Sequence, residues 1–250
     1  MKKQILTTSI SALVAGLAWQ AGASAQTLDY TAMSELFGEP VTAGATGAPQ
    51  RASDVPATMV IITGEDIRRF PERDIPGILR HYAGMDVTRY GFGDGQVNIR
   101  GAATGYTPRL LVLVNGREVY LDSYGYTAWA TLPVQLDEIQ QIEVVKGAQS
   151  ALYGFNAVSG VVNIITRNPE LGNYATAHVD GGTDSYTDLS LVSAYGLGER
   201  ASVRFSLGST RADEFAGYPG NTGAAGFGDV EFSRDTLALE GRFALTNKVN

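Results

Sequence analysis

From Tyr174 onwards, apolar and polar side chains alternate with a period of two residues over four successive segments. Leu189, Leu191 and Tyr195 share one face of their segment, and Asp188 and Ser190 share the other. Alternating segments of about ten residues are typical of transmembrane β-strands. A soluble β-sandwich shows the same alternation, so the pattern predicts antiparallel strands and leaves both architectures open.

The connections between these segments favour a barrel. They are short at 182–185 and 197–200 but long and glycine-rich at 212–229. Bacterial outer-membrane barrels combine tight turns on one side with longer loops on the other. Beyond the N-terminus, no apolar run approaches the roughly 20 residues of a membrane helix, so any membrane crossing has to use strands.

The N-terminus has the parts of a Sec-type signal peptide. Lys2 and Lys3 precede an apolar stretch, and Ala23-Ser24-Ala25 provides an A-x-A cleavage site. Removing residues 1–25 leaves 17 basic and 26 acidic residues, a net charge of −9. This charge argues against a nucleic-acid partner. The chain has no cysteine, which excludes disulfides and thiolate metal sites.

Residues 26–53 are rich in Thr, Ala, Gly and Pro, and we expect a mobile N-terminal arm rather than a folded element. Residues 54–169 are expected to form a compact α+β domain, which begins with a strand from Thr58 to Ile62. Thr63 and Asp66 have the spacing of a helix capping box. Asn115-Gly116 is the pair favoured in type I′ hairpin turns. The run GVVNIITR, from Gly160 to Arg167, reads as a last buried strand, which Asn168-Pro169 ends.

Several segments of this domain, in this order, resemble the plug domain of TonB-dependent outer-membrane receptors. They are VIITGEDIRR, NIRGAATGYTPRLLVLVNGREVY and IEVVKGAQSALYGFNAVSGVVNIITR, within residues 54–168. The segments after residue 170 resemble the first strands of the receptor barrel. The resemblance implies an α+β plug domain followed by the start of an antiparallel transmembrane β-barrel, which would be incomplete with about four strands.

The resemblance also implies a function, which is energised uptake of a scarce ligand across the outer membrane. In this family a plug closes a barrel of about 22 strands. Ligands of the ferric siderophore, haem or cobalamin class bind at the plug apices. The inner-membrane TonB complex then pulls on a short N-terminal box by strand addition. The matching residues here are Glu39, Pro40, Val41, Thr42 and Ala43, although Pro40 departs from the hydrophobic pattern of such a box and cannot donate a ladder hydrogen bond.

Two plug loops, 89–95 and 120–129, are expected on the ligand side, with the Asn115-Gly116 turn at the opposite end. Their candidate ligand-binding residues, aromatic apart from one carboxylate, are Tyr90, Phe92, Asp94, Tyr124 and Tyr126. In this family, charges such as Arg100 and Glu143 tend to form plug–barrel ion pairs, so a structural role is expected for both. No motif predicts catalysis, a resident metal or a cofactor.

Four strands cannot close a barrel, since the smallest have about 8. We therefore expect the sequence to be an N-terminal fragment of a receptor. Two alternatives remain open. A soluble periplasmic binding or signalling module would stay monomeric in buffer without detergent. A porin-like passive channel would tolerate deletion of residues 39–45 without loss of uptake.

Overall fold

The computed structural model describes residues 29–44, 46–93, 95–100, 109–119, 127–198, 201–213 and 231–243. The predicted signal peptide, residues 1–25, lies outside them. The first 169 residues contain four short helices and nine strands within these ranges. The helices are α1 (Tyr30–Phe37), α2 (Gly64–Arg69), α3 (Ile75–Arg80) and α4 (Ser150–Tyr153). The strands are β1 (Val41–Thr42), β2 (Gln50–Arg51), β3 (Thr58–Thr63), β4 (Met85–Arg89), β5 (Gly95–Ile99), β6 (Leu110–Val114), β7 (Arg117–Glu118), β8 (Ile139–Lys146) and β9 (Gly160–Thr166).

A five-stranded sheet in the order β3-β8-β9-β6-β7 organises this α+β domain. Strands β6 and β9 are parallel, and the other neighbours are antiparallel. One face of the sheet buries Ile142, Val144, Val162 and Ile164 against α2, α3 and the β4–β5 hairpin. This apolar layer is the main core of the domain.

Local sequence signals of the domain are confirmed. The Thr63 side chain accepts a hydrogen bond from the backbone N–H of Asp66, and the Asp66 carboxylate accepts one from the N–H of Thr63, so the capping box that starts α2 is complete. Asn115 and Gly116 have φ angles of 50° and 76°, as the type I′ turn between β6 and β7 requires. The predicted last strand is β9, and a 3₁₀ turn, Pro169–Leu171, follows it.

The N-terminal arm differs from the expectation of an unfolded segment. Residues 30–37 form α1, and β1 pairs with β2 in a small antiparallel ladder. Tyr30 and Val41 pack on Ile165 of β9, while the Gln140 side chain donates a hydrogen bond of 3.0 Å to Thr31. The arm covers the sheet face opposite the main core. Burial of Tyr30 and Val41 against Ile165 favours this folded conformation.

Four long strands follow, in the order β10-β11-β12-β13, each antiparallel to the next. Their bounds are β10 (Tyr174–Gly181), β11 (Thr187–Gly196), β12 (Ala201–Asp213) and β13 (Glu231–Phe243). This meander is the predicted start of a barrel-like sheet. Among the described residues, no helix is long and apolar enough to cross a membrane.

The burial of the meander is inverted relative to a soluble sheet. Its polar residues Ser190, Ser202, Arg204 and Ser206 are buried against the α+β domain. Most of its apolar residues on the opposite face are exposed, namely Leu189, Leu191, Tyr195, Phe205, Leu237, Leu239 and Phe243. A soluble sandwich places its apolar face inside, whereas a membrane barrel places it outside. The observed orientation resolves the ambiguity of the alternating pattern in favour of barrel-like strands.

Candidate functional site

The tip of the β4–β5 hairpin meets the meander through three aromatic rings. The centroid of the Phe92 ring lies 5.5 Å from that of Tyr186 and 5.3 Å from that of Phe232. Tyr186 belongs to the turn between β10 and β11, and Phe232 is the second residue of β13. Loop 89–95 therefore lies at the end of the strands where β10 and β12 finish.

A cavity of about 300 Å³ opens beside this aromatic contact. Its apolar wall includes Phe92, Trp129, Tyr186 and Phe232. Its charged lining comprises four arginines and two carboxylates, namely Arg73, Arg80, Arg89, Arg234, Glu72 and Asp74. Concave sites with aromatic walls and a few oriented polar groups are typical of small-molecule binding sites.

The charges of the cavity do not cancel. Asp74 binds Arg89 through two hydrogen bonds of 2.5 and 2.6 Å, and Glu72 binds Arg80 at 3.0 Å. These pairs leave two guanidinium groups without a carboxylate partner among the described residues. Arg73 lies over the Tyr186 ring, 3.9 Å from its centroid. Arg234 donates to the Thr210 hydroxyl at 3.2 Å. The lining is therefore positive, which favours an anionic ligand.

The predicted ligand-side residues have different surroundings. Tyr90 is half-buried and donates a hydrogen bond of 3.1 Å to the Gln96 side chain. Phe92 forms part of the cavity wall. Asp94, Tyr124 and Tyr126 lie outside the described residues. No local sequence pattern marks Arg73, Tyr186, Phe232 or Arg234, because these residues come together from segments distant in sequence.

The Asn115-Gly116 turn lies at the other end of the domain, as expected. The Asn115 amide donates to the Thr166 hydroxyl at 2.8 Å and accepts from the Thr166 N–H at 2.9 Å. Thr166 ends β9, shortly before β10 begins at Tyr174, whereas Tyr186 follows the end of β10. The eight residues of β10 span about 26 Å at roughly 3.3 Å per residue. The cavity and the turn therefore lie towards opposite ends of β10.

The expectation of a plug–barrel ion pair is not met at Glu143. The Glu143 carboxylate accepts hydrogen bonds from the Ala43 N–H at 3.3 Å, from Gln141 at 2.9 Å and from Asn163 at 3.4 Å, so it faces the N-terminal arm. Its position on the sheet face opposite the main core places it under the arm rather than against the meander. Arg100 is exposed, with a φ of 58°, and makes no ion pair within the described ranges.

The ion pair that does join the domain to the meander is Glu138–Arg204. Arg204 Nε lies 3.4 Å from Glu138 Oε2, and both side chains are buried. Arg204 also donates to the Arg167 carbonyl at 3.1 Å and to Glu240 at 2.6 Å. Burial raises the pKa of the Glu138 carboxyl above its usual value, and the Arg204 charge opposes this shift. The alternating pattern places Arg204 on the polar face of β12 but does not identify its partner.

Comparison with known proteins agrees with this architecture. Residues 51–161 match the family model of the TonB-dependent receptor plug domain. The vitamin B12 transporter BtuB of Vibrio cholerae is 32% identical over 174 residues, which cover 68% of this chain and 28% of BtuB. The chain thus spans about a quarter of the length of this relative. BtuB is a transporter, and the two solved structures described next are receptors, so none of these relatives is an enzyme.

Two solved structures are similar to the chain. The ferric enterobactin receptor PfeA of Pseudomonas aeruginosa is 26% identical with a TM-score of 0.55, covering 76% of this chain and 31% of PfeA. The ferripyoverdine receptor of the outer membrane of Pseudomonas aeruginosa is 19% identical with a TM-score of 0.58, covering 70% of this chain and 23% of that receptor. Residues 51–161 therefore match the plug domain of TonB-dependent receptors, and antiparallel strands of a barrel-like sheet follow them.

Proposed function

We propose that this chain supplies the plug and the first barrel strands of an outer-membrane receptor that takes up a scarce ligand with energy transmitted by TonB. The observation that carries the proposal is the inverted burial of the meander. Its polar face contacts the plug through bonds such as Gln135 to Thr236 at 2.7 Å and Ser190 to Asp137 at 3.1 Å. Its apolar face has the composition of a surface that contacts lipid.

Lipid contact is tested by tryptophan quenching in vesicles of brominated phosphatidylcholine. Trp129 is the only tryptophan outside the predicted signal peptide. In a Trp129→Phe background, a Leu239→Trp side chain is expected to be strongly quenched, because Leu239 is 64% exposed on the apolar face. Native Trp129, 8% exposed in the plug core, is the matched control and is expected to keep its emission.

The opposite outcome supports a soluble periplasmic module. That alternative predicts that the protein is monomeric in buffer without detergent and that tryptophan at position 239 is insensitive to the brominated lipid. Both readouts are independent of any ligand. They therefore test the membrane architecture without requiring that the transported compound be known.

The ligand site is proposed at the plug apex, around the positive aromatic cavity. Phe92 supports the proposal, since its ring lies in the cavity wall beside Tyr186. Tyr90, Asp94, Tyr124 and Tyr126 are proposed as further ligand contacts on the two loops. The ligand class proposed from the family is a ferric siderophore, haem or cobalamin. The excess of guanidinium groups favours an anionic metal chelate among these.

Trp129 lines the cavity and provides the readout for binding. Titration of the protein with a ferric catecholate chelate, haem or cyanocobalamin is expected to change Trp129 fluorescence for the ligand that fits. Arg73→Ala is expected to weaken binding of an anionic chelate by about 10- to 100-fold, because a hydrogen bond to a charged group contributes roughly 1.5–3 kcal/mol. Arg117→Ala, on the exposed hairpin at the other end of the plug, is the control. Equal affinities of the two variants would remove the cavity from the binding site.

The partner proposed for the periplasmic side is TonB, and the proposed contact is the segment from Glu39 to Ala43. Strand addition to a partner requires backbone N–H and C=O groups that are free to form a ladder. In this conformation Val41 and Thr42 already pair with Arg51 and Gln50. The segment therefore has to leave its place on the plug before it serves as an added strand.

A further inference from the structure

Two glycines next to the positive aromatic cavity are explained by the space around them rather than by their backbone. Gly93 lines the cavity, and Gly182 begins the β10–β11 turn. Neither has a φ in the left-handed region that favours glycine. Gly198, in the next turn, is the opposite case, because its φ is 81° and an added Cβ would meet no atom within 4 Å.

Gly93 leaves the space that the Phe232 ring occupies. A Cβ atom at Gly93 would overlap with three atoms of this ring, Cε2, Cζ and Cδ2. The ring also packs on Phe92, with the two centroids 5.3 Å apart. A methyl group at position 93 therefore has to displace Phe232 from the cavity wall.

Gly182 leaves space for the Arg73 guanidinium. A Cβ atom at Gly182 would overlap with Arg73 Nη2 and lie 3.3 Å from its Cζ. The Gly182 N–H donates to the Tyr186 carbonyl at 3.0 Å, which keeps the glycine next to the ring that the guanidinium covers. Since no carboxylate among the described residues pairs with Arg73, its position depends on the Tyr186 ring and on the gap at Gly182.

The two side chains that use these spaces offer different contacts to a ligand. Phe232 presents an aromatic face, which favours another ring. Arg73 presents a planar set of N–H donors, which suits a carboxylate, sulfonate or phosphate group. A ligand that carries an anionic group on an aromatic ring can use both contacts at once. The cavity of about 300 Å³ is small for a binding site, so the positions of its walls decide what enters.

We propose that Gly93 and Gly182 determine the specificity of the cavity and shape it for an aromatic anion. Gly93 does so by admitting the Phe232 ring to the wall. Gly182 is a positioning residue, because it acts through Arg73. This inference deepens the proposed ligand site and rests on it, whereas lipid contact of the meander is tested independently.

The charge-recognising part is tested with benzenesulfonate and its uncharged analogue benzenesulfonamide, which have similar shapes. Affinities are measured by ligand-observed NMR titration of the full chain in detergent micelles. Gly182→Ala is expected to weaken benzenesulfonate binding by about 10-fold and to leave benzenesulfonamide within about 2-fold, because only the anion uses the displaced guanidinium. Gly181→Ala is the matched control, since its Cβ would meet only the Tyr186 carbonyl oxygen, at 3.7 Å.

The aromatic part is tested with the same two probes. Gly93→Ala is expected to weaken both by about 5-fold, because both use the ring of Phe232 and neither loses an ionic contact. The ratio of the two affinities is therefore expected to change in Gly182→Ala and to stay constant in Gly93→Ala. A general loss of stability would not divide the two variants in this way.

Two double variants show whether each glycine acts through its neighbour. Adding Gly182→Ala to Arg73→Ala is expected to change neither affinity further, because the group that the methyl displaces is absent. Adding Gly93→Ala to Phe232→Ala is expected to be equally silent. A purely structural role of the glycines would instead give the same loss in the single and the double variants.

Parent-like affinities in Gly93→Ala and Gly182→Ala would overturn the proposal, and so would losses that persist in the double variants. If a glycine variant does not fold, as judged by Trp129 emission, its double variant decides. Recovery of the parent emission supports the predicted overlap, and continued loss rejects it. Absence of benzenesulfonate binding to the parent protein would reject this inference together with the cavity as the ligand site, while the lipid-quenching result would still judge the receptor architecture.

Discussion

Arg204→Ala is expected to lower the free energy of unfolding of the plug–barrel assembly by about 3–5 kcal/mol, the usual result of removing one partner of a buried ion pair. Glu138 is 1% exposed and would keep a buried negative charge without its guanidinium. The Arg167 carbonyl would lose a donor as well. Urea unfolding in detergent, followed by Trp129 fluorescence, measures the change.

Arg211→Ala is the matched control for this prediction. It removes the same residue type from the same strand, but Arg211 and its partner Asp235 are both exposed, with a separation of 2.8 Å. Solvent screens such a pair, so little change is expected. Adding Glu138→Gln to Arg204→Ala is expected to recover part of the loss, because the buried charge is removed. Similar unfolding curves for Arg204→Ala and Arg211→Ala would show that the buried pair does not hold the plug in place.

Gly160→Ala is expected to destabilise the plug by about 1–3 kcal/mol, the range typical of overpacking a close-packed core. A Cβ atom at Gly160 would overlap with the carbonyl oxygen of Val145 and lie 2.6 Å from Cδ1 of Ile99. The carbonyl belongs to the neighbouring strand β8 and cannot move without disturbing the β8–β9 ladder. The urea midpoint of Trp129 fluorescence is expected to fall.

Gly196→Ala provides the comparison within a strand. Its added Cβ would meet only Asn173 Oδ1 at 3.7 Å, an ordinary van der Waals contact. We expect its urea midpoint to stay close to that of the parent protein. Equal midpoints for Gly160→Ala and the parent would mean that β8 and β9 can separate at this point without cost.

Elements of the fold that depend on neighbouring residues were predictable from the sequence. The capping box at Thr63, the turn at Asn115-Gly116 and the strand from Gly160 each need only a few adjacent residues to specify them. The alternation in the meander predicted the strands, but not which face would be buried. That orientation depends on the plug, whose polar side chains, such as Gln135 and Asp137, receive the polar face of the strands.

The arm and the cavity both depend on contacts between residues that are distant in sequence. Local composition therefore predicted disorder for the arm, which is folded, and it gave no sign of the cavity. Thr, Ala, Gly and Pro between residues 26 and 53 indicated disorder, yet Val41 gains its place from Ile165 and Gln141. Arg73 and Arg234 are far apart in sequence and line one cavity only after the meander packs on the plug. The roles of Asp94, Tyr124 and Tyr126 stay predictions.

The parallel pairing of β6 with β9 constrains the order in which the chain folds. Leu110 pairs with Gly160, and Thr58 of β3 pairs with Lys146 of β8, so the plug sheet is assembled from contacts with large sequence separation. The first two hairpins of the meander, β10–β11 and β11–β12, close over short connections and need no distant partner. Loop-closure entropy makes distant pairings slow to form. We therefore expect these two hairpins to form before the plug sheet is complete. Docking of the polar face of the meander has to wait for the plug.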